Sequence, residues 1–145
     1  MTLAQHRISF TGPQFLHIFE ERLVLATLDT IGPPTSVKII TGGCVGLDAF
    51  VASTMHARGY HVHTVLPAKL TKVDRNWAVY CTTHETCPAG RSDSETYRLR
   101  NTRMVGQSDQ LIAFIRNGNL AARSGEVMTY NIARKAGKLI NLVSL

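Results

Sequence analysis

The stretch that decides the fold is Val37-Lys38-Ile39-Ile40-Thr41-Gly42-Gly43-Cys44-Val45-Gly46-Leu47-Asp48. A short, β-branched apolar run that ends in turn residues is typical of a buried strand. Apolar residues then recur at helical spacing as far as Arg58, and Gly59 is a natural helix stop. A strand that leads through glycines into a helix predicts one strand–helix unit of an α/β fold.

Similar units occur on both sides of this stretch. Strands are predicted over residues 7–12, 37–41, 61–66, 110–115 and 139–143, and helices over 15–28, 46–58, 95–106 and 124–136. In the first helix, the residues predicted to face the core are Phe15, Ile18, Phe19, Leu23, Ala26 and Thr27. Strands that alternate with helices predict a Rossmann-like α/β fold, an open parallel sheet of about five strands with helices on both faces.

Residues 68–95 interrupt this alternation. The stretch is polar and has no clean period, and structureless segments of that length inside a domain are usually functional or inserted. We expect an insertion or a lid here. A chain of 145 residues suits one domain, so we predict a single domain over residues 1–145.

Composition and charge narrow the class of protein. A hydrophobic fraction of 44% excludes disorder as the main state, and no apolar run approaches the roughly 20 residues that span a bilayer. No membrane partner is therefore expected. Three cysteines argue against a disulfide framework and favour a cytoplasmic protein. The net charge of +6 favours anionic partners, such as nucleotides and, weakly, nucleic acids.

Ligands of open parallel sheets bind beyond the carboxyl ends of the strands, so the turns there are the candidate site. Thr11 and Gly12 end the first strand. The second strand is followed by the glycines Gly42, Gly43 and Gly46. Glycines allow close approach of a ligand to the backbone, and a helix start attracts anions. Asp48 could hold a ribose hydroxyl, or it could be an ordinary acid of a first helical turn.

An arginine cluster precedes the fourth predicted strand. Arg100 and Arg103 are three residues apart and are predicted to share a helix face. Guanidinium groups suit phosphate, and the Asn101 amide can both donate and accept hydrogen bonds. The alternative interpretation is a solvated basic face.

The last predicted helix opens with Ser124-Gly125-Glu126. Ser124 is a candidate N-cap, and Ser124 with Gly125 forms a second candidate anion site. Glu126 is a candidate general acid or base, or a ribose ligand, or an ordinary first-turn acid.

Metal-capable residues occur as Cys81-x-x-His84-x-x-Cys87. They supply three close ligands at a spacing that differs from standard zinc sites, and a fourth ligand is missing. We expect no metal site here and no cofactor.

Taken in order, these motifs resemble the SLOG superfamily, which includes the LOG (lysine-decarboxylase-like) proteins, the Rossmann domain of DprA and the YpsA-like proteins. The matching pieces are Phe10-Thr11-Gly12, Thr41-Gly42-Gly43-x-x-Gly46-x-Asp48, Arg100-Asn101-Thr102-Arg103-Met104, Asp109-Gln110-Leu111-Ile112-Ala113-Phe114 and Ser124-Gly125. The resemblance implies a sheet order of 3-2-1-4-5. It also implies a nucleotide-like ligand between the glycine turns and the arginine helix.

Some members of that superfamily hydrolyse the N-glycosidic bond of nucleoside monophosphates through a P-G-G-x-G-T-x-x-E signature. This chain departs from it, because residues 118–126 lack the proline, the glycine pair and the threonine. When Gly125 is aligned with the last glycine, the catalytic glutamate position falls on Thr129, and Glu126 is the acid that is left.

The function predicted from the sequence is binding of a phosphate-bearing nucleotide or nucleotide-derived ligand, by a sensor or a nucleotide-processing protein. One alternative is a nucleoside phosphate N-glycosidase with Glu126 as acid and base. The other is a DprA-like single-stranded nucleic-acid binder. Whether the protein is an enzyme stays open, and we expect it to be a homo-oligomer.

Overall fold

Six parallel strands form the centre of the computed structural model, which describes residues 5–145. The strands are β1 (His6–Thr11), β2 (Val37–Thr41), β3 (His61–Leu66), β4 (Thr83–Thr86), β5 (Gln110–Ile115) and β6 (Leu139–Ser144). The helices are α1 (Ile18–Leu28), α2 (Leu47–Ala57), α3 (Asp93–Gly106) and α4 (Gly125–Lys135), with short 3-10 turns at Trp77–Tyr80 and Arg116–Gly118. Among the described residues, no helix combines the length and the apolar character that crossing a membrane requires.

The strand order is β4-β3-β2-β1-β5-β6. Without β4, it is the order 3-2-1-4-5 that the resemblance implies, so the predicted fold class is confirmed. The additional strand β4 pairs with β3 at the edge of the sheet, in the register His63↔Thr83 to Leu66↔Thr86. Its sequence, Thr-His-Glu-Thr, contains no apolar residue, and the strand is mostly exposed at the edge of the sheet. The sequence pattern therefore gave no sign of it.

The helices cover both faces of the sheet. On one face, α1 and α2 pack against Ile8, Phe10 and Ile39 in the larger core. On the other face, α3 and α4 pack against Leu111 and Ala113. Strands β2 and β5 are buried on both sides, which is why their sequences are nearly continuous apolar runs.

Helix α1 buries a different face from the predicted one. The residues expected in the core are largely solvent-exposed, with Ile18 at 76% and Phe19 at 65%. The buried stripe is Glu20, Val24 and Leu28 instead. The reason is an ion pair that the helical period cannot reveal: both carboxylate oxygens of the buried Glu20 accept from Arg116, at 2.8 and 2.9 Å.

The segment from residue 68 to 95 carries structure of its own. It contains the 3-10 turn Trp77–Tyr80 and strand β4. Its first part, residues 68–76, is called the strap below, because it is hydrogen-bonded to the turn that follows β2. Val45 N donates to Lys72 O at 3.0 Å, and Asp74 N donates to Gly43 O at 2.9 Å.

Candidate functional site

A cavity of about 820 Å³ opens at the carboxyl ends of the central strands. Its walls come from the turn after β1, the turn after β2, the strap, and the facing sides of α3 and α4. Strand β1 lies between β2 and β5, and the connections that follow β1 and β5 lead to opposite faces of the sheet. Such a reversal point is where open α/β sheets leave a crevice for a ligand.

The cavity brings together most of the residues that the sequence singled out. Those in its wall are Thr11, Gly12, Asp48, Arg100, Asn101, Ser124, Gly125 and Glu126. Those outside its wall are Gly42, Gly43, Gly46 and Arg103. The two groups differ in what they contact, and the contacts explain the division.

In the turn after β2, the backbone N–H groups of Cys44 and Leu47 donate hydrogen bonds to other protein groups. Cys44 N donates to Asp48 Oδ2 at 3.2 Å, and Leu47 N donates to Pro13 O at 3.0 Å. Gly46 has φ +83°, and a Cβ there would collide with the backbone of Gln14. These contacts serve close packing between the turns after β1 and β2, so few free donors are left at the start of α2 for an anion.

Arg100 is a buried clamp between α3 and this turn, with an exposed fraction of 6%. Its guanidinium donates to the carbonyl of Gly42, to Asn101 Oδ1 at 2.7 Å, and to the Cys44 Sγ at 3.5 Å. A Cβ at Gly42 would lie 2.5 Å from the Arg100 Nη1, so any side chain there would displace the guanidinium. Arg100 therefore holds the turn in place. It also borders the cavity, although its guanidinium already donates hydrogen bonds to three protein groups.

Asp48 balances that charge. Burial raises the pKa of Asp48 to about 6, against the opposing attraction of Arg100 and the hydrogen bond from Cys44 N. Repulsion from Glu126 adds to the rise in this pKa, so the two carboxyl groups act on each other across the cavity. Burial also raises the pKa of the Cys44 thiol, which keeps it protonated.

Arg103 has a different partner from Arg100. Its Nε donates to Glu85 Oε1 at 2.6 Å on the edge strand β4. Glu85 also accepts from Gln107 and contacts the buried His63 at 3.2 Å. The pKa of the Glu85 carboxyl is lowered, chiefly by the hydrogen bond from Arg103. Arg100 and Arg103 therefore have different partners, and only Arg100 lies in the cavity wall, so a joint role at a phosphate stays a prediction.

The start of α4 is the open end of the cavity. Ser124 has the extended geometry of an N-cap (φ −138°, ψ 162°), but its side chain makes no cap hydrogen bond. Its buried hydroxyl has no partner among the described residues. The first N–H groups of any helix lack intrahelical acceptors, so donors collect here without a protein acceptor.

The wall also contains residues that the sequence did not assign to the site. Tyr97 has a buried hydroxyl without a partner among the described residues, and the Lys72 ammonium lies 5.0 Å from its ring centroid. Lys69 and Arg98 lie nearby, and Arg123 precedes α4. In all, seven basic and three acidic side chains line the cavity, which makes it a positively charged space. The strap residues belong to it only through the tertiary fold.

Cys81, His84 and Cys87 do not converge. The Cys81 thiol donates to Thr83 O at 2.8 Å, His84 packs edge-on against Trp77, and Cys87 is buried beneath α3. Within residues 5–145, no three His, Cys, Asp or Glu side chains are grouped as ligands for a metal ion.

Comparison with known proteins gives matches in structure only. No family model and no curated protein sequence matches the chain. DNA processing protein A (DprA) from Streptococcus pneumoniae aligns with a TM-score of 0.73 and 15% identity, over 95% of this chain and 50% of DprA. The molybdenum cofactor binding protein from Rippkaea orientalis aligns at 0.67 and 17%, over 99% and 78%. The protein TM1055 aligns at 0.67 and 14%, over 94% and 72%. The chain therefore has the Rossmann-like fold that these three proteins share.

Proposed function

We propose that the protein binds a phosphate-bearing, nucleotide-type small molecule in the cavity at the carboxyl ends of the strands. One observation carries this proposal. The unpartnered Ser124 hydroxyl and the open start of α4 face the same positively charged cavity. Buried hydroxyls without partners are rare because they lose hydrogen bonds to water, and an anion at this position would satisfy them.

The structural neighbours support binding as the function of this cavity. One is a molybdenum cofactor binding protein and another is a DNA processing protein. Of a small cofactor and a DNA strand, the small molecule is the ligand class proposed here, because the cavity lies between α3, α4 and the strap. A cavity of about 820 Å³ is within the range of small-molecule sites.

Calorimetric titration with AMP tests the proposal. Arg123 lines the cavity beside the α4 start, and Arg123→Ala should weaken AMP binding about tenfold through loss of a charge-assisted contact. The matched control is Arg75→Ala, which removes the same charge from an exposed residue outside the cavity wall. Equal affinities for the two variants would contradict this placement of the phosphate.

Nucleic acid is the competing ligand, since the net charge of +6 attracts any polyanion. Oligonucleotide binding through many phosphates weakens steeply with salt, whereas a mononucleotide site has a shallow salt dependence. We expect weak oligonucleotide binding that AMP does not displace. If oligonucleotide binding is tight and salt-sensitive and Arg123→Ala leaves it unchanged, the protein binds nucleic acid on a surface outside the cavity, and the proposal fails.

A second candidate function is hydrolysis of the N-glycosidic bond of a nucleoside monophosphate. The observation that favours it is Glu126, half-buried in the cavity wall and close enough to Asp48 to raise the pKa of that residue. A free-base assay with AMP tests it, and Glu126→Gln should abolish release while binding persists. If AMP is recovered intact after long incubation with the wild-type protein, hydrolysis is excluded and binding remains as the proposed function.

We also propose a cytoplasmic homo-oligomer. The three cysteines are free, which is typical of a reducing compartment. The exposed apolar residues Phe15, Ile18, Phe19 and Leu23, called the α1 patch below, support association, since such patches are usually covered by another protein surface.

A further inference from the structure

One face of α4 lines the cavity along the whole length of the helix. Ser124, Met128, Asn131 and Lys135 are all in the wall, and their spacing of four, three and four residues places them on a single stripe. The eleven residues from Gly125 to Lys135 extend about 16 Å along the helix axis. The cavity is therefore elongated, and it continues well beyond the start of α4.

Helix α3 forms the opposite wall with a matching stripe. Ser94, Arg98 and Asn101 line the cavity at spacings of four and three. The Asn101 amide donates to Met128 Sδ at 3.5 Å, so the two walls touch about one turn after the start of α4. A ligand that lies along α4 would pass this contact and have protein on both sides.

Basic residues stand at both ends of this elongated space. Arg123 lies beside the α4 start, and Arg134 and Lys135 lie in the last turn of the helix, where all three line the cavity. Within residues 5–145, none of these three side chains forms an ion pair. Cations in a last turn are favoured by the helix dipole, but that does not require them to border a cavity.

We infer that the ligand is linear, about the size of a dinucleotide, and carries an anionic group at each end. One phosphate lies at Ser124, Gly125 and Arg123, and the second anionic group lies at Lys135 and Arg134. A volume of about 820 Å³, toward the upper end for small-molecule sites, fits a ligand larger than a mononucleotide. This inference rests on the proposed function, because it takes the phosphate at the α4 start as given.

Three adenylate probes separate the two ends in calorimetric titrations. They are AMP, the 5′-phosphorylated dinucleotide pApA, and pApAp, which adds a 3′-phosphate. We expect pApAp to bind about tenfold more tightly than pApA, by one charge-assisted contact. Lys135→Ala should remove that advantage and leave the affinity for pApA unchanged. The matched control Lys138→Ala, a lysine beyond the helix and outside the cavity wall, should change neither affinity.

The other outcomes overturn the inference in distinguishable ways. If AMP, pApA and pApAp all fail to bind, the proposed function fails as well. If AMP binds but pApA and pApAp bind equally, or Lys135→Ala and Lys138→Ala have the same effect, only the second anionic site is lost. If affinity keeps rising from pApAp to a ten-nucleotide strand, the ligand is a nucleic-acid strand instead.

Discussion

At the scale of single residues, the two arginines of the α3 cluster have different roles. Arg100 is buried and holds the turn after β2, whereas Arg103 forms an ion pair at the surface with Glu85. Breaking a buried charge network leaves its partners without compensation, and a surface pair contributes little. The removal of each arginine should therefore affect stability very differently.

We predict that Arg100→Ala lowers the free energy of unfolding by about 3–5 kcal/mol, because the Gly42 carbonyl loses its donor and the buried Asp48 loses a nearby opposite charge. Arg103→Ala, with the same change in charge and composition, should cost about 1 kcal/mol or less. Urea unfolding followed by circular dichroism measures both. Similar losses for the two variants would mean that Arg100 does not hold the turn.

The burial of Asp48 can be tested through the pH dependence of stability. Its pKa is raised in the folded protein to about 6 from 3.8, so the folded state binds this proton more tightly than the unfolded state. The resulting stabilisation is full below about pH 4 and is lost as the pH rises through about 6. A difference of about two pKa units corresponds to about 3 kcal/mol.

The comparison is with Asp48→Asn, which keeps an acceptor for Cys44 N and does not titrate. The free energy of unfolding of the wild type, measured relative to that of the variant, should fall by up to this amount between pH 4 and pH 7. Taking the difference removes the contributions of other carboxylates, such as Glu20, whose pKa is lowered to about 2 chiefly by its hydrogen bond with Arg116. A difference that does not change with pH would contradict the burial of Asp48.

At the scale of elements, the glycine turn after β2 is a docking point for the strap. Gly43 has φ +74°, and a Cβ there would lie 2.9 Å from the side chains of Leu66 and Thr64. Its carbonyl accepts from Asp74 N of the strap. A glycine at this position therefore serves both the backbone conformation and the packing of β3 beneath the strap.

We predict that Gly43→Ala destabilises the protein by about 2–4 kcal/mol, the sum of a left-handed backbone penalty and overpacking. Gly59→Ala is the matched control, since Gly59 has φ +88° with nothing within 4 Å of a Cβ. It should cost about 1–2 kcal/mol from the backbone alone. Hydrogen exchange in the strap should become faster for Gly43→Ala only. Equal exchange rates in the two variants would mean that this turn does not hold the strap.

At the scale of the whole molecule, the α1 patch and the positively charged cavity are separate surfaces. The cavity lies on the side of α3 and α4, and α1 covers the opposite face of the sheet. Association of copies through the α1 patch would therefore leave the cavity open to its ligand.

We predict that Phe19→Asp converts an oligomer into a monomer in light scattering, because a charge would be buried in the apolar contact. Val79→Asp is the control, as Val79 is 74% exposed and lies outside the patch. A wild-type protein that is monomeric at high concentration, or that responds equally to both changes, would remove the α1 patch from the assembly.

The sequence by itself determined five of the six strands and the alternation of strands with four helices. Apolar runs and glycine turns are local signals, so β2, β3 and β5 were predicted at their observed positions, and the site was predicted at the carboxyl ends of the strands. Ser124, Gly125 and Asp48 were predicted as site residues in the same way, because each lies at or near a helix start that follows a strand, and all three line the cavity.

Only the tertiary structure decided how those residues are used. The Arg100 guanidinium donates to the Gly42 carbonyl, 58 positions earlier in the chain. Arg116 pairs with Glu20, 96 positions earlier, and so places Glu20 on the buried side of α1. The strap adds Lys72 to the cavity through hydrogen bonds to a turn that precedes it by more than 25 residues. Such contacts have no local period, since they are set by side-chain charge and backbone hydrogen bonds between elements that folding brings together.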